Sequence, residues 1–213
     1  MVSPVQREPD SLEAAVEALC ATARWCYGRG WVPATSGNFS VRAGERILIT
    51  QSGLDKGSLA SSDLLEVDLD GRPVDARGKP SAETRLHTVI YRDRAGLGAI
   101  LHVHTLWNTL LSGHFAPHGY VPIEGYELLK ALSGVKTHAH CERVPVLINS
   151  QDYETLAREL AAALKAYPAA HGVLLSRHGL YTWGQSVAEA RRHLEALEFL
   201  FEAEGRRLTS GVG

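Results

Sequence analysis

Apolar residues recur at helical spacing in several stretches of the chain. After Ser11, a residue suited to capping a helix, Leu12, Ala15, Val16, Leu19 and Ala23 form one stripe. That stripe predicts a helix to Tyr27, stopped by Gly28-Arg29-Gly30. Leu156, Leu160 and Leu164 mark another helix over 152–166, and an amphipathic pattern over 187–207 predicts a long closing helix. Segments 81–92, 105–111 and 127–132 read as shorter helices, the last ended by Gly134. Strand patterns lie between them. Residues 38–41 and 46–50 form a hairpin about Ala43-Gly44, and 64–69 alternates up to the turn Asp70-Gly71. Short apolar runs at 99–103, 144–148, 172–175 and 180–183 complete the strands. Hairpins mixed with strand–helix alternation predict an α/β fold whose sheet is mixed or antiparallel, with helices on both faces, rather than a doubly wound parallel sheet.

The 213 residues suit one domain, expected over 11–208. A flexible polar segment, 1–10, precedes it and a short tail, 209–213, follows. Residues 1–10 contain Pro4 and Pro9 and lack the apolar stretch of a signal peptide, so a cytoplasmic protein is expected. No segment is apolar for long enough to span a membrane. A net charge of -2 without a basic block argues against nucleic acid as partner. Cys20, Cys26 and Cys141 are an odd number without a Cys-X-X-Cys motif, which fits reduced, buried thiols.

The strongest chemical signal is His102-Val103-His104, at the end of the run Leu97-Gly98-Ala99-Ile100-Leu101. Strand alternation sends two residues at this spacing to one face, just where the strand opens into a loop. Paired neutral imidazoles suit a divalent transition metal, Zn²⁺ above all, although iron, manganese and cobalt accept them too. His178, in Ser176-Arg177-His178-Gly179, also closes an apolar strand and is the candidate third ligand. Three imidazoles would leave coordination positions open, as in catalytic sites. His138-Ala139-His140 is a rival pair without the leading apolar run, and His87 and His193 fall within helices as surface or packing residues.

A second group of residues could hold a phosphate. Ala34-Thr35-Ser36-Gly37-Asn38-Phe39-Ser40 joins short donors to a glycine that permits close backbone approach, and Thr50-Gln51-Ser52-Gly53 repeats that chemistry with Lys56 nearby. Ser81 is expected to open a helix whose N-terminus favours an anion. Each turn alone also fits an ordinary Gly/Ser loop. Three acids are candidates for proton transfer: Glu83, expected in the first turn of that helix, and Glu124 and Glu127, which flank Gly125-Tyr126. The residues themselves leave open which one acts. No dinucleotide-binding Gly-X-Gly-X-X-Gly loop and no His-Glu-X-X-His motif is present.

Ser36-Gly37-Asn38, His102-Val103-His104 and Arg177-His178-Gly179, with Pro80-Ser81-Ala82-Glu83, resemble the class II aldolase/adducin family over about Leu12 to Leu208. The resemblance implies a three-layer αβα sandwich with a central, mainly antiparallel sheet. It also implies one Zn²⁺ per subunit on His102, His104 and His178, and a homotetramer with sites near subunit interfaces. Family members are aldolases and epimerases of sugar phosphates, with relatives that are not enzymes. Gly30 to Asn38, Glu124 to Lys130 and Arg177 to Gly184 resemble a dehydratase branch of methionine salvage, whose substrate is a phosphorylated methylthio-ketopentose. There Glu127 matches the acid/base, whereas Glu83 holds the position used by the aldolases. Ser36, Gly37, Asn38, Ser52, Gly53, Lys56 and Ser81 would hold the phosphate. Phe115, Tyr120 and Tyr126 are apolar candidates near the proposed base, with core packing as their ordinary reading.

Overall fold

The computed structural model describes residues 11–74 and 78–211. The segment expected at 1–10 and the last two residues of the expected tail lie outside them. Among the described residues there are five α-helices: α1 (Leu12–Gly28), α2 (Thr84–Asp93), α3 (Leu106–Phe115), α4 (Tyr153–Ala166) and α5 (Val187–Ser210). The strands are β1 (Asn38–Ala43), β2 (Arg46–Thr50), β3 (Leu64–Asp68), β4 (Ala99–Val103), β5 (Tyr120–Glu124), β6 (Cys141–Leu147), β7 (Gly172–Leu175) and β8 (Gly179–Gly184). No helix among the described residues is long and apolar enough to cross a membrane.

The strands form one sheet in the order β3-β2-β1-β4-β8-β7-β6-β5. Each neighbouring pair is antiparallel except β6–β7, which is parallel. The two faces carry separate cores. One gathers Val16 and Leu19 of α1, Leu111 of α3 and Leu194, Leu197 and Phe201 of α5 against Phe39, Leu101 and Val103. The other packs Leu86 and Ile90 of α2 and Leu156, Leu160 and Leu164 of α4 against Ile47, Ile49, Ile100 and Tyr181. The result is the three-layer αβα sandwich with a mainly antiparallel sheet.

Local chemistry explains most boundaries. Ser11 Oγ accepts from the Ala14 amide and Asp152 caps α4 through the amides of Glu154 and Thr155. β5 was not expected from the sequence: Pro122 cannot donate to a ladder, and it is tolerated because β5 is an edge strand. The segment 127–131 is a 3₁₀ helix rather than an α-helix. A correction concerns Ser81. It does not open a helix: α2 begins at Thr84, and Glu83 occupies its N-cap position, outside the first turn. Ser81 instead lies in the turn before α2, where its hydroxyl accepts from the Glu83 amide at 3.2 Å. At the other end of the chain, α5 continues to Ser210, beyond the expected boundary at 208.

Candidate functional site

Three central strands present one row of side chains. Asn38 of β1 sits opposite His102 of β4, and His102 sits opposite Tyr181 of β8. His102 is fully buried, and its ring stacks on that of Tyr181 with centroids 3.8 Å apart. Its Nδ1 donates to the Leu180 carbonyl at 3.0 Å, which leaves Nε2 with a lone pair facing the site. His104 follows the strand, with its amide bonded to the Trp31 carbonyl at 2.9 Å. Its Nε2 stands 2.9 Å from that of His102. His178 enters from the β7–β8 turn, with Nδ1 donating to Asn149 Oδ1 at 3.1 Å. Both hydrogen bonds turn an Nε2 inward, the usual way of fixing a metal-binding imidazole.

Glu83 completes the group. Its carboxylate lies 3.1 Å from His178 Nε2 and 3.3 Å from His102 Nε2, and it accepts from Asn38 Nδ2 at 2.6 Å. One donor atom from each of Glu83, His102, His104 and His178 lies within 4.8 Å of the others. Burial works against the charge of Glu83, but His102 and His178 hold it well below the usual carboxylate range. Burial pushes the pKa of His104 down to about 4 and holds that of His102 well below 6.5, so both rings are neutral ligands at neutral pH. Three imidazoles beside a carboxylate are a donor set that fits a divalent transition metal.

Beside this centre lies a cavity of about 150 Å³ lined by Thr35, Ser36, Gly37, Asn38, Gln51, Ser52, Gly53, Ser81, Glu83 and His104. Six of the seven residues expected to hold a phosphate are therefore together. Gly37 has φ +74°, and a Cβ there would stand 2.7 Å from the His102 carbonyl oxygen. Only glycine lets this turn approach β4 so closely. The Ser36 hydroxyl is buried without a partner among the described residues, the state expected of a donor that awaits an anion. Lys56 is the exception. It does not line the cavity, and its buried ammonium donates to the carbonyls of Thr35 and Leu54 at 3.0 and 2.7 Å, bracing the loop from behind.

Glu127 lies elsewhere. It is 70% exposed, paired with Lys130, and borders a groove of about 800 Å³ lined also by Trp31, Trp107, Tyr126, Leu128 and Phe199. Glu83, by contrast, is 12% exposed inside the donor group. The rival pair does not converge on this site: His138 is exposed and His140 binds Glu142. Gln51, Tyr181 and Asn149 belong to the site surroundings but were not singled out from the sequence. Gln51 follows directly on a marked strand, whereas Tyr181 and Asn149 meet the histidines only through the fold.

Residues 17–204 match the class II aldolase and adducin N-terminal domain, and the chain belongs to that family. Its fold is that of the L-fuculose-1-phosphate aldolase from Thermus thermophilus, with a TM-score of 0.75 at 29% identity, covering 95% of this chain and 100% of that one. In sequence it is similar to two bacterial proteins named methylthioribulose-1-phosphate dehydratase. The one from Sorangium cellulosum is 46% identical over 196 residues, 90% of this chain and 92% of the relative. The one from Methylococcus capsulatus is 50% identical over 195 residues, 91% and 94% of the two chains.

Proposed function

We propose that this enzyme, a lyase, removes water from 5-methylthioribulose 1-phosphate to give 5-methylthio-2,3-diketopentyl phosphate, a step of methionine salvage. The observation that carries the reading is the triad His102, His104 and His178 opening beside a Ser/Gly cradle, in a chain whose curated relatives share that name. One Zn²⁺ per chain on these histidines would supply Lewis-acid polarisation of the C2 carbonyl. Ser36, Gly37, Asn38, Ser52, Gly53 and Ser81 hold the phosphate, and Lys56 adds positive charge behind the loop. Gripping the substrate at the C1 phosphate and the C2 carbonyl orients the C3–H bond for deprotonation. The base takes the C3 proton, the C4 hydroxyl leaves as water on receiving a proton, and the resulting enol tautomerises to the diketone.

Glu127 is the proposed acid/base. Its exposure, beside a groove flanked by exposed Leu128 and Phe199, fits delivery from one copy of the chain to the site of another in a cytoplasmic homotetramer. Glu83 would then be a fourth group able to hold a bound metal. A second reading, favoured by its place inside the donor group, makes Glu83 the base.

Incubation of zinc-loaded protein with the substrate, followed by NMR, tests the reaction. The diketone phosphate is the expected product; dihydroxyacetone phosphate with an aldehyde would replace dehydration by aldol cleavage. Glu127→Gln should abolish turnover with zinc retained, and mixing it with His102→Ala should restore activity in hybrid oligomers. Near-normal turnover of Glu127→Gln together with loss in Glu83→Gln would transfer the role to Glu83.

A further inference from the structure

Glu198 of α5 is buried between α3 and α5, on the sheet face opposite the α2–α4 layer, and the chemistry above makes no use of it. Its carboxylate has no ion-pair partner among the described residues. Instead it accepts from Thr105 Oγ1 at 2.5 Å and from Asn108 Nδ2 at 3.0 Å. Burial pushes its pKa up to about 7. A carboxylate held this way costs folding stability that an apolar residue would not, so a functional return is expected from its two bonds.

Both bonds go to the first turn of α3. Thr105 directly follows His104 and caps the helix, its Oγ1 accepting from the Asn108 amide at 3.2 Å. Further along α3, the buried Ser112 Oγ accepts from the Arg177 amide at 2.9 Å. Arg177 directly precedes His178 and has φ +56°, a left-handed conformation that a non-glycine residue adopts only when held there. Between these two points, the Thr109 hydroxyl donates to the Thr105 carbonyl at 2.7 Å and lies 3.3 Å from the His178 carbonyl oxygen. Helix α3 thus spans the gap between the strand end that carries His102 and His104 and the turn that carries His178.

We propose that Glu198 is a positioning residue for the metal centre: its carboxylate pins the first turn of α3, and α3 sets the spacing between the His102–His104 pair and His178. The inference rests on the three-histidine metal centre. Ligand geometry depends on such outer contacts, and their loss typically weakens metal binding by about 10- to 100-fold.

The test is zinc affinity by chelator competition, with the visible absorption of the cobalt(II)-substituted protein as a second readout. Glu198→Leu removes both bonds. It should weaken zinc binding by about tenfold or more and shift the cobalt bands. Glu198→Gln keeps an acceptor for Asn108 and a group facing Thr105, and should bind zinc nearly as wild type does. Ser112→Ala, which frees Arg177, should weaken zinc in the same direction. Leu160→Ala, destabilised in the other core, should leave both readouts unchanged.

The proposal is overturned if Glu198→Leu and Ser112→Ala both match wild type in affinity and cobalt spectrum. It is equally overturned if Glu198→Gln is as weak as Glu198→Leu, or if Leu160→Ala weakens zinc as much. Should Glu198→Leu not fold, Ser112→Ala decides alone. His102→Ala separates the two layers of argument. If it loses zinc while Glu198→Leu does not, only the positioning role fails; if it binds zinc as wild type does, the centre itself is misassigned.

Discussion

Two histidine clusters lie toward opposite ends of the β4–β8 pair, and each contains a glutamate largely shielded from solvent. At one end, His102, His104 and His178 face Glu83 with ring nitrogens directed into a shared space. At the other, Glu142 accepts from His140 Nε2 at 2.9 Å and from the His171 amide at 2.9 Å, with His171 Nδ1 at 3.1 Å. His171 Nε2 then donates to the Ser133 carbonyl at 2.8 Å. Neighbouring His193 is also fully engaged, donating to the Trp183 carbonyl at 2.7 Å and accepting from the Ser133 amide at 3.0 Å. The residue types are the same, but the second cluster has committed most of its ring nitrogens within the protein. Reactivity here follows from the lone pairs a fold leaves unspent, not from a count of histidines.

The sharpest way to break this comparison is a pair of alanine variants. His102→Ala should lose stoichiometric metal and lower turnover by roughly 10³-fold or more, the scale of several kcal/mol of lost carbonyl polarisation. His171→Ala should keep metal and turnover but lower unfolding free energy by about 3–5 kcal/mol, because buried Glu142 loses the charged ring of His171 and keeps only His140 beside it. Metal analysis and urea titration read both; loss of metal from His171→Ala would erase the distinction.

The two clusters should also answer pH oppositely. Burial alone would lower His171, but the hydrogen bond and charge of Glu142 raise it above 6.5. Its contribution is complete below 6.5 and is lost as pH rises through the raised value. Burial would raise Glu142, but His171 and His140 hold it below 4.5, so its contribution is present above 4.5 and is lost as pH falls through the lowered value. The deficit of His171→Ala should therefore be largest between pH 4.5 and 6.5. In the metal-free protein, burial lowers His104 from 6.5 to about 4, so that centre loses stability as pH falls across that interval. Urea titrations of metal-free wild type, His171→Ala and His104→Ala across this range check both signs. A smaller effect should come from Asn149→Ala, which frees His178 Nδ1 and should weaken metal binding by about tenfold with folding unchanged.

Much of the metal centre was legible because its signals are local. The apolar run before His102, the two-residue spacing and the turn around His178 each identify a strand end without reference to the rest of the chain. The cradle was legible for the same reason, since Ser36-Gly37-Asn38 and Ser52-Gly53 are turn chemistry. Lys56 shows the limit. Its proximity in sequence suggested direct contact with a ligand, yet the backbone carbonyls of Thr35 and Leu54 take its ammonium. Tyr181 and Asn149 were hidden because strand order, which no local pattern encodes, brings them to the histidines. The start of α2 was placed too early because Ser81 and Glu83 carry capping chemistry that the chain uses in a turn and at the N-cap.

The order of the ligands along the chain has a thermodynamic consequence. About seventy residues separate His104 from His178, and they include α3, β5, β6, α4 and β7. An ion shared by both ends would close that stretch into a ring, a reversible cross-link that removes loop-closure entropy from the unfolded chain. Folded-state stability then rises with the logarithm of free metal above its dissociation constant. The edge strand β5 and its neighbour β6, both inside that ring, would exchange their amides more slowly when the ion is bound.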